Sequence, residues 1–485
     1  MNDRERLEDV EHVLHGDKGS GAAKNMGYAV YVTVLLASTY GFTVARAVFA
    51  TSGPAWIDDH VLTLPTAVIG VGLFVASLAL ARWAGRTRGP VVPPLPWTDL
   101  VASSDVDRAR SLRRWWTYAF VGGLVGGAIL GAVIGGGVWA SGAGSAGWFV
   151  GAVPIGAAAG WLLARMWLEG QVAPDTSGTA TLARVVRPAA GSLRQLRLDD
   201  LRSHGVRSTQ MGGGVLAGDL RAVRLEVASP VTRGRRLRLQ AAGPRAVVVR
   251  RDILGLRRAP GAFWTGAVLV VIGWAGVAWA LTDPRVPVAL TCLAVAACYL
   301  GMGAWAEGLR LLGDNAGTPP MLGLRFRTEA IAHLVVPVAL FLMTTVGVSA
   351  IGLMAMNNVG VDGAGLSSAG PNGAVPILAV LGWCLLIGTL LAGAQLMAAF
   401  RGAPPVMAFL PEYGPPMMIY WYARPLVLAS VSGGLIVSHA TAGAAASTAA
   451  GSGMVTGMLI ALVTAIGAMA WGLRSVKTLE EAHRI

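Results

Sequence analysis

Charge is scarce in this chain of 485 residues: 13% are Asp, Glu, Lys or Arg, about half of the roughly 25% usual in a soluble domain. With 54% hydrophobic residues and a mean hydropathy of +0.58, that scarcity excludes a soluble globular protein and a disordered chain. Cysteine is nearly missing as well. Cys292, Cys298 and Cys384 all sit inside apolar runs, so they read as small buried hydrophobes, not as a disulfide framework or a metal site. Lysine is confined to Lys18, Lys24 and Lys477, leaving 36 of the 39 basic residues as arginine. Together with 65 glycines, this is the bias expected of a G+C-rich bacterial genome.

What is present is a succession of continuous apolar runs, too long and too unbroken for the alternating strands of a membrane barrel. The expected fold is an all-α integral membrane protein with ten spans near 26–50, 61–83, 116–140, 148–168, 262–281, 287–308, 332–356, 375–400, 417–440 and 454–473. Arg424 and Pro425 interrupt the ninth. Arginines fill the connections after spans 2, 4, 6 and 8, while the opposite connections hold only Arg285. The positive-inside rule then predicts both termini on the cytoplasmic side of a bacterial inner membrane. Residues 1–25 have more acids than bases, so they read as a cytoplasmic segment and not as a signal peptide.

The expected organisation is therefore a four-span block at 26–168, a cytoplasmic segment at 169–261, a six-span block at 262–473 and a tail at 474–485. The segment 169–261 carries 17 arginines against seven acids. Most of the net +13 thus lies in one place, where it satisfies topology and invites anionic lipid. Aromatic residues are absent from this segment, so nucleic acid is not expected as a partner. Its end, Arg250-Arg251-Asp252-Ile253-Leu254-Gly255-Leu256-Arg257-Arg258, reads as an interfacial helix stopped by Pro260, with Ile253, Leu254 and Leu256 toward lipid.

Motifs for chemistry are thin. All 26 acids fall in loops or at span ends, so ion coupling has no evident seat in the bilayer. The stretch Gly16 to Lys24 lacks the Lys-Ser/Thr pair of a phosphate loop, and Gly142-Ala143-Gly144-Ser145-Ala146-Gly147 lacks a strand–helix setting. No catalytic or metal residues are assigned. Asp58-Asp59-His60 and Asp105-Val106-Asp107 leave open an intramembrane lipid-linked glycosyltransferase, though solvated loops explain both. Gly123, Gly127, Gly131 and Gly135 form one face of span 3, read first as close helix packing and second as a translocation pathway. Arg46, Arg165, Arg424 and His439 are polar candidates inside or at the edges of spans; snorkelling is the simplest reading of the arginines.

Two connections share a wording: Gly89-Pro90 through Pro93-Pro94-Leu95-Pro96-Trp97-Thr98-Asp99 to Ser104-Asp105-Val106-Asp107-Arg108, and Gly317-Thr318-Pro319-Pro320-Met321-Leu322-Gly323-Leu324-Arg325-Phe326-Arg327. With the lead Arg250 to Pro260 into span 5, they resemble permease subunits of the type-2 ATP-binding cassette (ABC) exporter class. The resemblance implies a connecting helix at about 245–258 before six spans, and coupling segments at 90–114 and 312–330 that dock into a separate ATPase subunit. It further implies two ATPase copies holding ATP and Mg, no enzymatic activity or cofactor in this chain, and a pore completed by a homodimer or a second permease. The implied docking residues are Trp97, Asp99, Asp105, Asp107 and Arg108, then Leu322, Leu324, Arg325, Phe326 and Arg327. The first block departs from the class in having four spans, and the insertion 169–244 has no counterpart in it. A membrane scaffold or regulatory subunit is the alternative.

Overall fold

The computed structural model describes residues 5–7, 9–10, 13, 19–56, 64–172, 185, 187–216, 238–239, 243–283, 286–318, 322–359, 377–402, 414–446 and 450–482. All regular structure among them is helical. The chain divides into two compact units, Met1–Ser229 and Pro230–Ile485.

In the first unit, α1 (Gly19–Leu36) runs through a π-turn at Ala37–Gly41 into α2 (Phe42–Trp56). Then come α3 (Leu64–Thr87), two short helices α4 (Leu95–Leu100) and α5 (Arg108–Ser111), and the long antiparallel pair α6 (Arg113–Ala140) and α7 (Ala146–Val172). Two further helices, α8 (Ala189–Arg194) and α9 (Leu198–Leu216), complete the unit. The α6–α7 turn contains Gly142 at φ +76°, so this glycine-rich stretch is a reversal of the chain and nothing more. Along the pair, Gly127 and Gly131 face the carbonyls of Gly156 and Ala152 so closely that a Cβ would collide with backbone.

The second unit opens on α10 (Pro244–Arg258), which ends where Pro260 starts α11 (Pro260–Thr282). Next are α12 (Val288–Trp305), α13 (Glu307–Asp314), α14 (Phe326–Val359), α15 (Ile377–Ala399), α16 (Gly414–Ala446) and α17 (Ala450–Ala482). Its core is built on Trp274, Trp305, Trp383 and Phe341, all fully buried. Trp274 donates to Ser349 Oγ at 2.8 Å and Trp305 to the Phe263 carbonyl at 3.0 Å, as buried indoles require.

Eight helices among the described residues are long and apolar enough to cross a membrane. Their outward side chains, such as Leu130, Ile155, Val463 and Met343, are apolar and exposed, the pattern of a helix whose solvent is hydrocarbon. The chain is an all-helical, multi-pass membrane protein. The two remaining segments of the ten expected from sequence fall on α3 and α16, of 24 and 33 residues.

Candidate functional site

The polar chemistry gathers at the arginine-rich ends of the helices, separately in each unit. In the first unit, residues 89–114 lie under α8 and α9. Trp97 is buried, donates its indole N–H to the Ser111 carbonyl at 3.1 Å and tilts against Trp115. Asp99 accepts from Arg202 at 2.6 Å. Asp107 caps α5 through the Ala109 N–H and takes a two-pronged bond from Arg194 at 3.0 and 3.1 Å. That guanidinium holds the Asp107 carboxyl below its usual range and is itself raised. Arg108 donates to the Leu196 carbonyl at 2.7 Å, and Asp105 stands exposed beside Arg6 at 3.3 Å. Four of the five first-segment docking candidates thus have partners in α8, in α9, in the turn between them or in their own segment. The Asp105 and Asp107 carboxylates go to different arginines and share no metal site.

The same cap is pinned from below. Gln171 exchanges two bonds with the Val91 backbone, at 2.8 and 3.2 Å. His204 Nδ1 accepts from the Gly89 N–H at 3.2 Å, so its proton sits on Nε2. Burial pushes the His204 pKa below the ordinary 6.5, helped by Arg207. Arg165 does not snorkel. It is buried, donates to the Val185 and Arg187 carbonyls at 3.1 and 2.9 Å, and lies 3.6 Å from Glu169, which accepts from Ser192 at 2.6 Å. The Val185 and Arg187 carbonyls reach it first, so it has no need of headgroups.

In the second unit a buried latch joins three helices. Val248, Asp252 and Leu256 share the inward face of α10, so Leu256 packs on the core and Ile253 is exposed. Asp252 accepts from His333 Nδ1 at 2.7 Å, and Arg251 donates to His333 Nε2 at 2.8 Å. A guanidinium can only donate, so Nε2 is the acceptor and the proton lies on Nδ1: a neutral imidazole bridges a cation and an anion. Glu329, one turn earlier in α14, lies 4.0 Å from Nε2. Gly308 of α13 is pressed against the pair; a Cβ there would meet Asp252 Oδ1 and His333 Nδ1. Sequence alone sets Asp252 in an interfacial helix and gives His333 no role. The available signal was an acid in the middle of an apolar i, i+4, i+8 stripe, which demands a buried partner.

The second-segment candidates precede this latch. Arg325 and Arg327 are exposed, Leu322, Leu324 and Phe326 are half-buried, and Phe326 stacks edge-on with Phe400 at 5.4 Å. Gly123, Gly127, Gly131 and Gly135 all face α7 backbone or its small side chains, while Gly122 and Gly126 beside them open into a groove of about 1060 Å³ that continues past Ile155 to Trp167. The tightly packed row lines this groove as well, so packing and groove share one glycine-rich side of the helix. Arg46 and His439 are exposed, and Arg424 lies between Trp421 and Trp471, with ring centroids 5.0 and 5.9 Å away. Asp58, Asp59 and His60 lie outside the described residues. Among the described residues there is no group of three side chains able to hold a metal ion. Comparison with family models, curated proteins and solved structures finds no match to this chain.

Proposed function

We propose that the chain is the membrane-spanning permease subunit of an ATP-driven ABC exporter in a bacterial cytoplasmic membrane, with ten spans and both termini on the cytoplasmic side. Two copies of a separate ATPase would hold ATP and Mg, and a second permease or second copy of this chain would complete the pore. The observation that carries this reading is the lever at the start of α14. Exposed Arg325 and Arg327 stand at the free end of a helix that is clamped, two turns later, to α10 through His333, Asp252 and Arg251. A push on 322–327 by a docked partner is delivered through a packed, hydrogen-bonded joint to α10 and so to α11. Discrete packed elements of this kind pass rigid-body movement along.

One observation favours the scaffold reading: α8 and α9 of this chain already occupy the first coupling segment. In the permease reading these helices hold that segment in shape and leave the second to dock. The experiment is affinity capture of the full-length protein from native membranes in mild detergent. An ATPase bearing a phosphate loop should travel with it and be released by Arg325→Glu with Arg327→Glu.

A further inference from the structure

Among the described residues, Arg424 is a cation without a hydrogen-bond acceptor. Arg165 is neutralised by carbonyls and Glu169, and Arg401 lies 4.3 Å over Tyr422 while donating to that residue's carbonyl. Arg424, half-buried in α16, touches the indole rings of Trp421 and Trp471, and no hydrogen-bond acceptor or carboxylate among the described residues meets its guanidinium. Ring faces hold a guanidinium in place without using up its five N–H donors. Beside it, the Trp421 indole N–H is buried and has no hydrogen-bond partner. The site therefore offers only donors and a positive charge, and what completes it must bring acceptor oxygens and a negative charge.

The depth of the site says what that group is. Tyr420, Trp421, Tyr422 and Trp471 form an aromatic belt, with Tyr420 and Trp471 turned outward. Such belts sit at the headgroup level of a bilayer, where the acceptor anion at hand is a phosphate ester. A guanidinium fork matches phosphate oxygens in a way an ammonium does not. We propose that Arg424 and the Trp421 indole N–H, walled by Trp471, form a binding site for a phosphate group, supplied by a membrane phospholipid at the edge between α16 and α17.

The test uses delipidated full-length protein in neutral detergent, titrated with phosphatidylglycerol and read by native mass spectrometry, with inorganic phosphate as a second arm. Arg424→Gln should weaken the tightest lipid association by about tenfold or more, and Trp421→Phe, which keeps a ring but removes the N–H, by about fivefold. Arg46→Gln removes the same charge from α2 and should change nothing. If inorganic phosphate fails to compete, the lipid is the source; if it competes, the phosphate group is recognised from either source. Should Arg424→Gln fail to fold, Arg424→Lys and Trp421→Phe carry the test. Equal lipid affinity in the wild type and the folded variants overturns the proposal.

Discussion

His333 is held at both ring nitrogens, and that double engagement makes it the residue whose loss has the largest expected effect. His333→Leu would leave the Asp252 carboxylate buried without its donor; breaking a buried polar pair on one side costs about 3 kcal/mol or more. Asp252→Asn keeps an oxygen facing the Nδ1 proton and should cost about 1 kcal/mol. The comparison is made on thermal midpoints in detergent, and a His333→Leu protein as stable as the wild type would remove the latch from the account. His204 supports a pH prediction of definite sign. Burial lowers its folded-state pKa below 6.5, so between that lowered value and 6.5 the unfolded chain binds more protons than the folded one. Its contribution is whole above 6.5 and is lost as pH falls through that window. His204→Asn, which still presents an acceptor to the Gly89 N–H, should flatten this acid-side decline in midpoint; an unchanged profile would contradict the role given to His204.

Among the helices, the pair α6–α7 is held by backbone approach. Gly127→Ala would drive a methyl group into the Gly156 carbonyl, whereas Gly126→Ala meets nothing within 4 Å. Overpacking costs about 2 kcal/mol, so the first variant should lower the midpoint while the second leaves it unchanged or slightly raised. Equal effects would show that the tight row has been assigned to the wrong glycines. The row was legible in the sequence because spacing by four puts residues on one face; the groove it lines was not, because Ala81 and Ala84 of α3 also line it, from about forty residues away. The same division holds for the polar sites. Asp99, Asp107 and Arg108 stood out by their setting in a proline-rich loop, but their partners Arg202, Arg194 and Leu196 come from about ninety to one hundred residues away. No local pattern encodes such a pairing. His333 and Asp252, 81 residues apart, escaped notice for that reason.

At the level of the whole molecule, hydropathy carried the helical class and the membrane location, since a run of twenty apolar residues has few alternatives. Topology is open to direct measurement. In a chain freed of Cys292, Cys298 and Cys384, Ser145→Cys should react with an impermeant maleimide on intact cells, and Ser103→Cys only after permeabilisation. The reverse pattern would invert the arrangement. The larger claim is the proposal that this chain takes its driving force from an ATPase docked at 322–327. The measurement that reaches it most directly is the composition and ATP hydrolysis of the complex captured from native membranes. The account predicts an ATPase at two copies per transporter, hydrolysing ATP, and lost on Arg325→Glu with Arg327→Glu while the thermal midpoint holds. Capture without any ATPase, or an ATPase retained undiminished by both charge reversals, would contradict it.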